Sequence, residues 1–348
     1  MKEIDVSKKK LPGCEPILMK YDKADHLIFS QDGNQRNLNP ALWIFYIYDV
    51  FGRLVITGTC INPDFINCKN NVIQAKLGAS ENDYAGYILS NITLQKQALL
   101  SVNYYDNYAF IPLQTAIDRT KLNYTAYAGI STFNNAQGLK TGSRTYQLND
   151  PAKYSVSVTY YDKHDRIIQT HTSNHLNGFD DEYFEYGFTN NPMIKEHKHS
   201  SNGQTKVQEY FMFSYDQVER LTGIEYIIND SWAYFEYAYD EVGRLKAKKV
   251  ATETSTYNYN VRSWLTQIAG TKFNQTLTYN AAFNGVTPAK MLYNGNISAM
   301  KWKSGGESLE RGYKFTYDGL SRLTKAEYGE GANIAPNNKY NEVVSYDK

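Results

Sequence analysis

Hydrophobic and polar positions alternate along much of this chain, in short runs broken by small polar clusters. Trp43-Ile44-Phe45-Tyr46-Ile47-Tyr48 is apolar and of strand length. In the run from Trp232 to Tyr239, a period of two puts Trp232, Tyr234, Glu236 and Ala238 on one face. Ala233, Phe235, Tyr237 and Tyr239 fall on the other. Tyr84-Ala85-Gly86-Tyr87-Ile88-Leu89 alternates in the same way. No long run keeps a helical period. The pattern predicts an all-β chain of short strands joined by tight turns.

The breaks between strands are themselves repeated. Tyr48-Asp49-Val50-Phe51-Gly52-Arg53-Leu54 returns as Tyr239-Asp240-Glu241-Val242-Gly243-Arg244-Leu245, with variants starting at Tyr21, Tyr161, Tyr215, Tyr259 and Tyr317. Asp followed three residues later by Gly is type I turn chemistry. The Asp side chain bonds the backbone two residues on, and Gly supplies a positive φ. Each copy therefore predicts a hairpin tip, with Tyr closing the incoming strand and Leu opening the outgoing one. The Gly slot also holds Asp25, Asp165, Glu219, Ser263 and Ser321; Glu is a poor occupant, so a different turn is expected at Glu219. The last slot is Leu27, Leu54, Ile167, Leu221, Leu245, Leu265 or Leu323, which predicts one buried sheet face in every repeat. Arg fills the slot before it in Arg53, Arg166, Arg220, Arg244 and Arg322, with His26 and Trp264 as exceptions. So regular a recurrence suits a structural role, with Arg reaching the Asp of its own or a neighbouring turn.

Repetition implies one extended array of antiparallel hairpins more than a set of separate domains. Residues 1–150 hold two copies of the phrase and a more irregular β segment; residues 151–348 hold the main hairpin array. In the first part, Gln31-Asp32-Gly33-Asn34 reads as a turn, Tyr104-Tyr105-Asp106-Asn107-Tyr108 echoes the phrase, and 134–143 has loop chemistry. In the second, Tyr279-Asn280 and Tyr293-Asn294-Gly295-Asn296 read as further repeat starts, the latter with an Asn-Gly turn, and Gly305-Gly306 as a hairpin loop. The phrase begins again at Tyr346-Asp347-Lys348, so a cut from something longer is expected.

Composition changes this picture little. Lys and Arg number 37 against 36 Asp and Glu, and no basic stripe appears, so a nucleic-acid partner is not indicated. No apolar stretch approaches the ~18 residues of a membrane-spanning helix. Met1 to Lys10 is charged and lacks the apolar segment of a secretory signal. Cys14, Cys60 and Cys68 match no metal pattern; Cys60 and Cys68 either close a small disulfide loop or stay isolated thiols.

Candidate chemistry is sparse. His197 and His199 would share a strand face, and His171 and His175 lie four apart; either pair makes half a metal site, or polar loop residues. Asp180, Asp181, Glu182 and Glu185 form the densest acidic run. They read as a calcium cluster, a glycosidase pair, or a solvated turn after Asn177-Gly178. No phosphate-binding, nucleophile-elbow or zinc-protease motif occurs, and no cofactor is expected.

The recurring phrase resembles the YD repeat of the Rhs (rearrangement hotspot) family, which includes bacterial Rhs proteins, the C components of insecticidal toxin complexes, and teneurins. The strings Tyr259 to Leu265, Tyr293 to Ile297 and Phe315 to Leu323 are similar to Rhs-repeat proteins of Bacteroides-type bacteria. The resemblance covers about 20–58 and 155–348 and rests on Tyr48, Asp49, Gly52, Arg53 and Leu54, on Tyr239, Asp240, Gly243, Arg244 and Leu245, and on Tyr317, Asp318, Arg322 and Leu323. It implies a curved, spiralling β-sheet forming part of a hollow shell. It also implies a secreted or cell-surface setting, with flanking repeats and a C-terminal effector domain as partners. Many members cleave themselves near an Asp-Pro-x-Gly-Leu string. Here Asp150-Pro151 is followed by Ala152-Lys153-Tyr154, so neither protease nor toxin activity carries over. The resulting expectation is a non-enzymatic scaffold. Its alternatives are a carbohydrate-binding adhesin using Tyr and Trp faces and, more remotely, a hydrolase acting through Asp180, Asp181 or Glu185.

Overall fold

The computed structural model describes residues 8–61, 63–126, 136–282 and 290–347. The fold is all-β: 25 strands among the described residues, antiparallel except for one short parallel contact between Tyr48 and Gln74. The chain divides into two compact units, residues 1–210 and 211–348.

The first unit carries the hydrophobic core. Trp43–Tyr48 pairs with Leu54–Ile61, which pairs with Gln95–Asp106; then follow Ala136–Gln147, Asp150–Tyr161, Ile167–Ser173, Phe179–Tyr186 and Pro192–Ser201, each antiparallel to the last. Two excursions fold over this sheet. One holds the helix Phe65–Asn70 and the hairpin Gln74–Leu77/Tyr87–Ser90; the other holds the 3-10 turns Ile111–Leu113 and Arg119–Leu122. They bring Ile73, Ala75, Tyr87, Phe110 and Leu122 against Phe45, Ile47, Val102, Tyr104, Val156 and Val158, all buried in one cluster. Tyr104 stacks on Phe110 at 4.1 Å and donates its hydroxyl to Ala85 O. Gly142 is required there, since a β-carbon would lie 2.2 Å from the Phe110 ring.

In the second unit the hairpins follow in chain order, Leu221–Ile228 with Ser231–Tyr239, then Leu245–Val250, Glu253–Tyr259, Leu265–Gly270 and Phe273–Thr278. Ala299–Ser304, Arg311–Tyr317 and Leu323–Glu330 complete the series. Burial here is thinner. The buried hydrophobic cluster consists of Ala299 and Ile334, and Ile334 sits where a β-carbon on Gly312 or Gly329 would be.

Several sequence expectations are corrected. Gln31 to Asn34 does not form a turn: Asp32 caps a short helix, Gly33–Arg36, through a reciprocal bond pair with Gln35. Of the predicted loop at 134–143, the described part from Ala136 lies in the strand Ala136–Gln147, because strands on both sides pair with it. Tyr84 to Gly86 is a turn with positive φ at Ala85 and Gly86, and the strand starts only at Tyr87. The hairpin expected at Asn294-Gly295 is absent. Tyr293 lies in the long connection between Phe273–Thr278 and Ala299–Ser304, and Gly295 packs beside Trp264. Gly305-Gly306 does join a hairpin. No disulfide forms: Cys14 is an exposed free thiol, while Cys60 and Cys68 are buried thiols that burial pushes up to about 12.

Candidate functional site

The repeated phrase builds one local structure. At 49–53, the Gly52 N–H donates to Asp49 O at 3.1 Å and the Asp49 N–H to Arg53 O at 2.9 Å. Gly52 has φ +75, so a type I turn runs into a bulge, and the register shifts between Ile47 and Tyr48. The same bond pair recurs at Asp22/Asp25/His26, Asp162/Asp165/Arg166, Asp216/Glu219/Arg220, Asp240/Gly243/Arg244, Asn260/Ser263/Trp264 and Asp318/Ser321/Arg322. Glu219 follows the common pattern, with φ +66, against the expectation of a different turn. The Asp bonds and the bulge over-determine the backbone, so the left-handed residue bears its strain whatever its side chain.

Each Asp holds its own turn. Asp240 Oδ1 accepts the N–H groups of Val242 and Arg244, and Oδ2 accepts Arg244 Nε at 2.7 Å. Asp49, Asp162, Asp216 and Asp318 repeat the pattern with Arg53, Arg166, Arg220 and Arg322. Asn260 keeps the two backbone bonds but has no carboxylate for a guanidinium, and its Arg slot holds Trp264.

The guanidinium then reaches onward. Arg53 lies over Tyr105 at 4.4 Å, Arg166 over Tyr186 at 4.7 Å, Arg220 over Tyr239 at 4.7 Å, Arg244 over Tyr259 at 4.8 Å and Arg322 over Tyr346 at 4.5 Å. Those same tyrosines donate their hydroxyls to the carbonyl of the residue after the Arg. Tyr186 bonds Ile167 O, Tyr239 bonds Leu221 O, Tyr259 bonds Leu245 O and Tyr346 bonds Leu323 O, at 2.8 to 3.0 Å. Tyr105 reaches Leu54 O at 3.4 Å. Where Arg is replaced, a ring takes over: His26 stacks on Tyr48 and Trp264 packs on Tyr279, both at 4.9 Å. Each turn is thus a clamp closed on the tyrosine of the next. At the five turns that carry Arg, cation–π contact and a hydroxyl–carbonyl bond act on one ring.

This geometry corrects the reading of the last slot. Its side chains are not a buried face; Ile167 is 38% exposed and Leu54, Leu245 and Leu323 are half-buried. The backbone carbonyl of that slot is what each clamp uses.

The clamps also show copies that the sequence pattern missed. Tyr186-Gly187-Phe188-Thr189-Asn190-Asn191 closes the same turn, with Gly187 N–H to Asn191 O and Asn190 at φ +69. Arg166 Nη1 bonds Asn190 Oδ1 at 2.8 Å. Only the tyrosine marked this copy in sequence. Tyr279 bonds Leu265 O, the turn expected after Tyr279-Asn280 running into residues outside those described, and Ile297 O receives the Tyr317 hydroxyl. Asp106, from the degenerate echo, binds both terminal nitrogens of Arg53, at 2.8 and 2.6 Å.

The clamp carboxylates should set the acid stability. The bond from Arg53 holds Asp106 below its usual value. Burial alone would raise Asp162, but the bonds from Arg166 and the His164 and Arg166 N–H groups outweigh it and leave it low. Backbone and guanidinium bonds likewise lower Asp216 and Asp318. In each case the folded value is depressed. The stabilisation is complete above the unfolded carboxylate value near about 3.9 and drains as pH falls through the lower folded values. The thermal midpoint is therefore expected to fall between about pH 4 and pH 2 and to stay level just above. A midpoint flat to about pH 2 would show that the clamps contribute nothing.

The other candidate residues are placed differently. His197 and His199 lie in the strand Pro192–Ser201, not in a polar loop; His197 faces Glu209 at 2.8 Å and His199 faces Asp180 at 2.6 Å. His171 is buried against Asp181 at 2.7 Å and Gln169 at 3.1 Å, while His175 stands in the next turn, so the two do not converge. Asp180, Asp181, Glu182 and Glu185 lie in the strand Phe179–Tyr186, not in a turn. Alternation splits them between faces, and Glu182 is paired with Lys195. Among the described residues, no group of three His, Cys, Asp or Glu could hold a metal ion. Among the same residues, no helix is long and apolar enough to cross a membrane.

No family model and no curated protein matches the chain. Solved structures similar to it include TcdB2-TccC3-TEV, at 11% identity over 95% of this chain and 16% of that one, with a TM-score of 0.32. TcdB2-TccC3 without its hypervariable C-terminal region gives 9%, 92%, 15% and 0.31 for the same quantities. The Photorhabdus luminescens Tc holotoxin pore carrying a TccC3 point mutation gives 12%, 94%, 18% and 0.27. This chain thus spans less than a fifth of the length of the chains it matches.

Proposed function

We propose that this chain is a non-enzymatic structural module, a stretch of hairpin wall in a larger Rhs-type protein that encloses or presents a C-terminal effector. One observation carries the reading. The recurring polar atoms of each phrase are spent on the turn itself and on the next tyrosine. A binding or catalytic site is needed once, whereas a joint between neighbours is needed at every repeat. A clamp that recurs from Asp22 to Tyr346 fits the second requirement. The wall reading places the protein outside the cell or on its surface, with flanking repeats as its nearest partners. The alternative, a carbohydrate-binding surface, rests on a separate cleft near residues 116–118, 147–154 and 173–179 and does not depend on the wall role.

The test is limited proteolysis with intact-mass analysis of the full protein from its host. The expected product is a protease-resistant C-terminal polypeptide that travels with this wall. Digestion of everything beyond the hairpins, with no protected passenger, would reject enclosure.

A further inference from the structure

A cleft of about 770 Å³ opens in the first unit, away from the clamps; Asp118, Gln147, Lys153, Tyr154, His175 and Phe179 are among its lining residues. Its size is within the range of small-ligand sites. Three structural pieces form it: the segment before Arg119–Leu122, the Ala136–Gln147/Asp150–Tyr161 hairpin, and the turn after Ile167–Ser173.

These walls are fixed before any ligand arrives. Asn174 Oδ1 accepts the N–H groups of Leu176 and Gly178, and its amide donates to Ser200 O and Asp180, which locks the turn. Gly178 lies so close to the neighbouring strand that a β-carbon would meet Ser200 O at 1.9 Å. Asp118 is held by the Thr120 N–H and hydroxyl. Tyr154 is held by the Arg144 guanidinium at 4.7 Å from its ring and by Tyr146 at 5.2 Å. Little ordering remains to be done on binding.

The polar atoms of the lining are mostly unspent. Among the described residues, the side chains of Gln147 and His175 and the Tyr154 hydroxyl have no hydrogen-bond or ion-pair partner. None of the three is a buried orphan, so they meet water in the cleft. Donors and acceptors therefore stand beside two aromatic rings. Charge is nearly balanced: Lys153 already pairs with Asp150 at 3.3 Å, and Asp118 is the lining carboxylate named above. The lining does not call for an anion or a strong cation. It suits a neutral ring with hydroxyls on its edge and C–H groups on its face, which aromatic and amide side chains contact together.

We propose that this cleft binds a neutral mono- or disaccharide. Tyr154 and Phe179 form the apolar wall, and Gln147, His175 and the Tyr154 hydroxyl exchange water for sugar hydroxyls. The proposal deepens the carbohydrate-binding alternative and leaves the wall reading untouched, since proteolytic protection and sugar binding are measured separately.

The test is an NMR titration of the whole chain with maltose, lactose and N,N′-diacetylchitobiose, and with the dipeptide Gly-Lys as a charged comparison. At least one sugar is expected to give saturable shifts confined to 116–118, 147–154 and 173–179. The double variant Gln147→Ala/His175→Ala is expected to bind about tenfold more weakly. Its thermal midpoint should be unchanged, because neither side chain bonds the fold. Tyr154→Phe, which keeps the ring, should weaken binding less. The proposal is overturned if no sugar saturates at tens of millimolar, if the double variant binds as well as the parent, or if only the dipeptide binds.

Discussion

Replacing Arg144 by Met is expected to lower the unfolding free energy by about 3 kcal/mol. Arg144 is the largest fully buried side chain among the described residues, 1% exposed. Its Nε donates to Gln114 Oε1 at 2.7 Å, and its terminal nitrogens bind both oxygens of Glu81 at 2.8 Å. Nη2 also reaches Leu113 O at 3.1 Å. One guanidinium thus fastens two loop segments, at Glu81 and at 113–114, to the sheet. Met fills much of the volume, so the loss is electrostatic more than steric. Glu81 is about one-third exposed and regains water, which caps the cost. Gln114 is wholly buried and cannot, so its amide oxygen is left without a donor. Arg144→Lys should recover little, because a single ammonium cannot reproduce the planar fork that serves these acceptors. Adding Gln114→Leu to Arg144→Met should restore part of the loss, since removing both partners costs less than orphaning one. Denaturant unfolding at constant slope measures all three. A loss below about 1 kcal/mol for Arg144→Met would mean that the bonds merely replace water.

The second large effect is expected at Asp49. Its carboxylate is buried, accepts the N–H groups of Phe51 and Arg53, and holds Arg53 Nε. Asp49→Ala removes all three bonds and loosens the guanidinium that also binds Asp106 and covers Tyr105. A cost of about 3 kcal/mol follows. Asp49→Asn keeps the oxygen that caps the turn but turns an amide toward Arg53, and should cost about half as much. The protein contains the matching natural case: where the slot holds Asn260, the Arg slot holds Trp264 and the joint to Tyr279 is made by ring packing. Unfolding midpoints of the two variants give the order directly. Equal losses would place the whole effect in the guanidinium bond; no loss in either would remove the clamp from the stability of the fold.

The turns and strand ends were legible in the sequence because their causes are local. Asp, a left-handed residue and the following Arg act within a few positions, so Tyr48 and Leu54, Tyr239 and Leu245, and Tyr317 and Leu323 close and open strands where the phrase puts them. Alternation likewise gave the all-β class and the two faces of Ser231–Tyr239. The joint between clamps was not legible. Its tyrosine lies 14 residues from Leu245 in one case and 51 from Leu54 in another, so no fixed spacing announces it. The strand character of the acidic run was also hidden, because polar side chains are tolerated in a strand when cross-strand partners answer them.

The repeated phrase thus carried the hairpin and the place of its own turns, because backbone preference and short-range hydrogen bonds decide these; that each Arg binds the Asp of its own turn and not a neighbour's came from the structure. Only the tertiary structure decided that Arg and the Leu carbonyl grip the next tyrosine, that Arg144 binds Glu81 from 63 residues away, and that Tyr154, Gln147 and His175 share one cleft. Those relations depend on which strands become neighbours and which excursions fold back over them. Long-range burial and pairing settle that, and no local pattern encodes it.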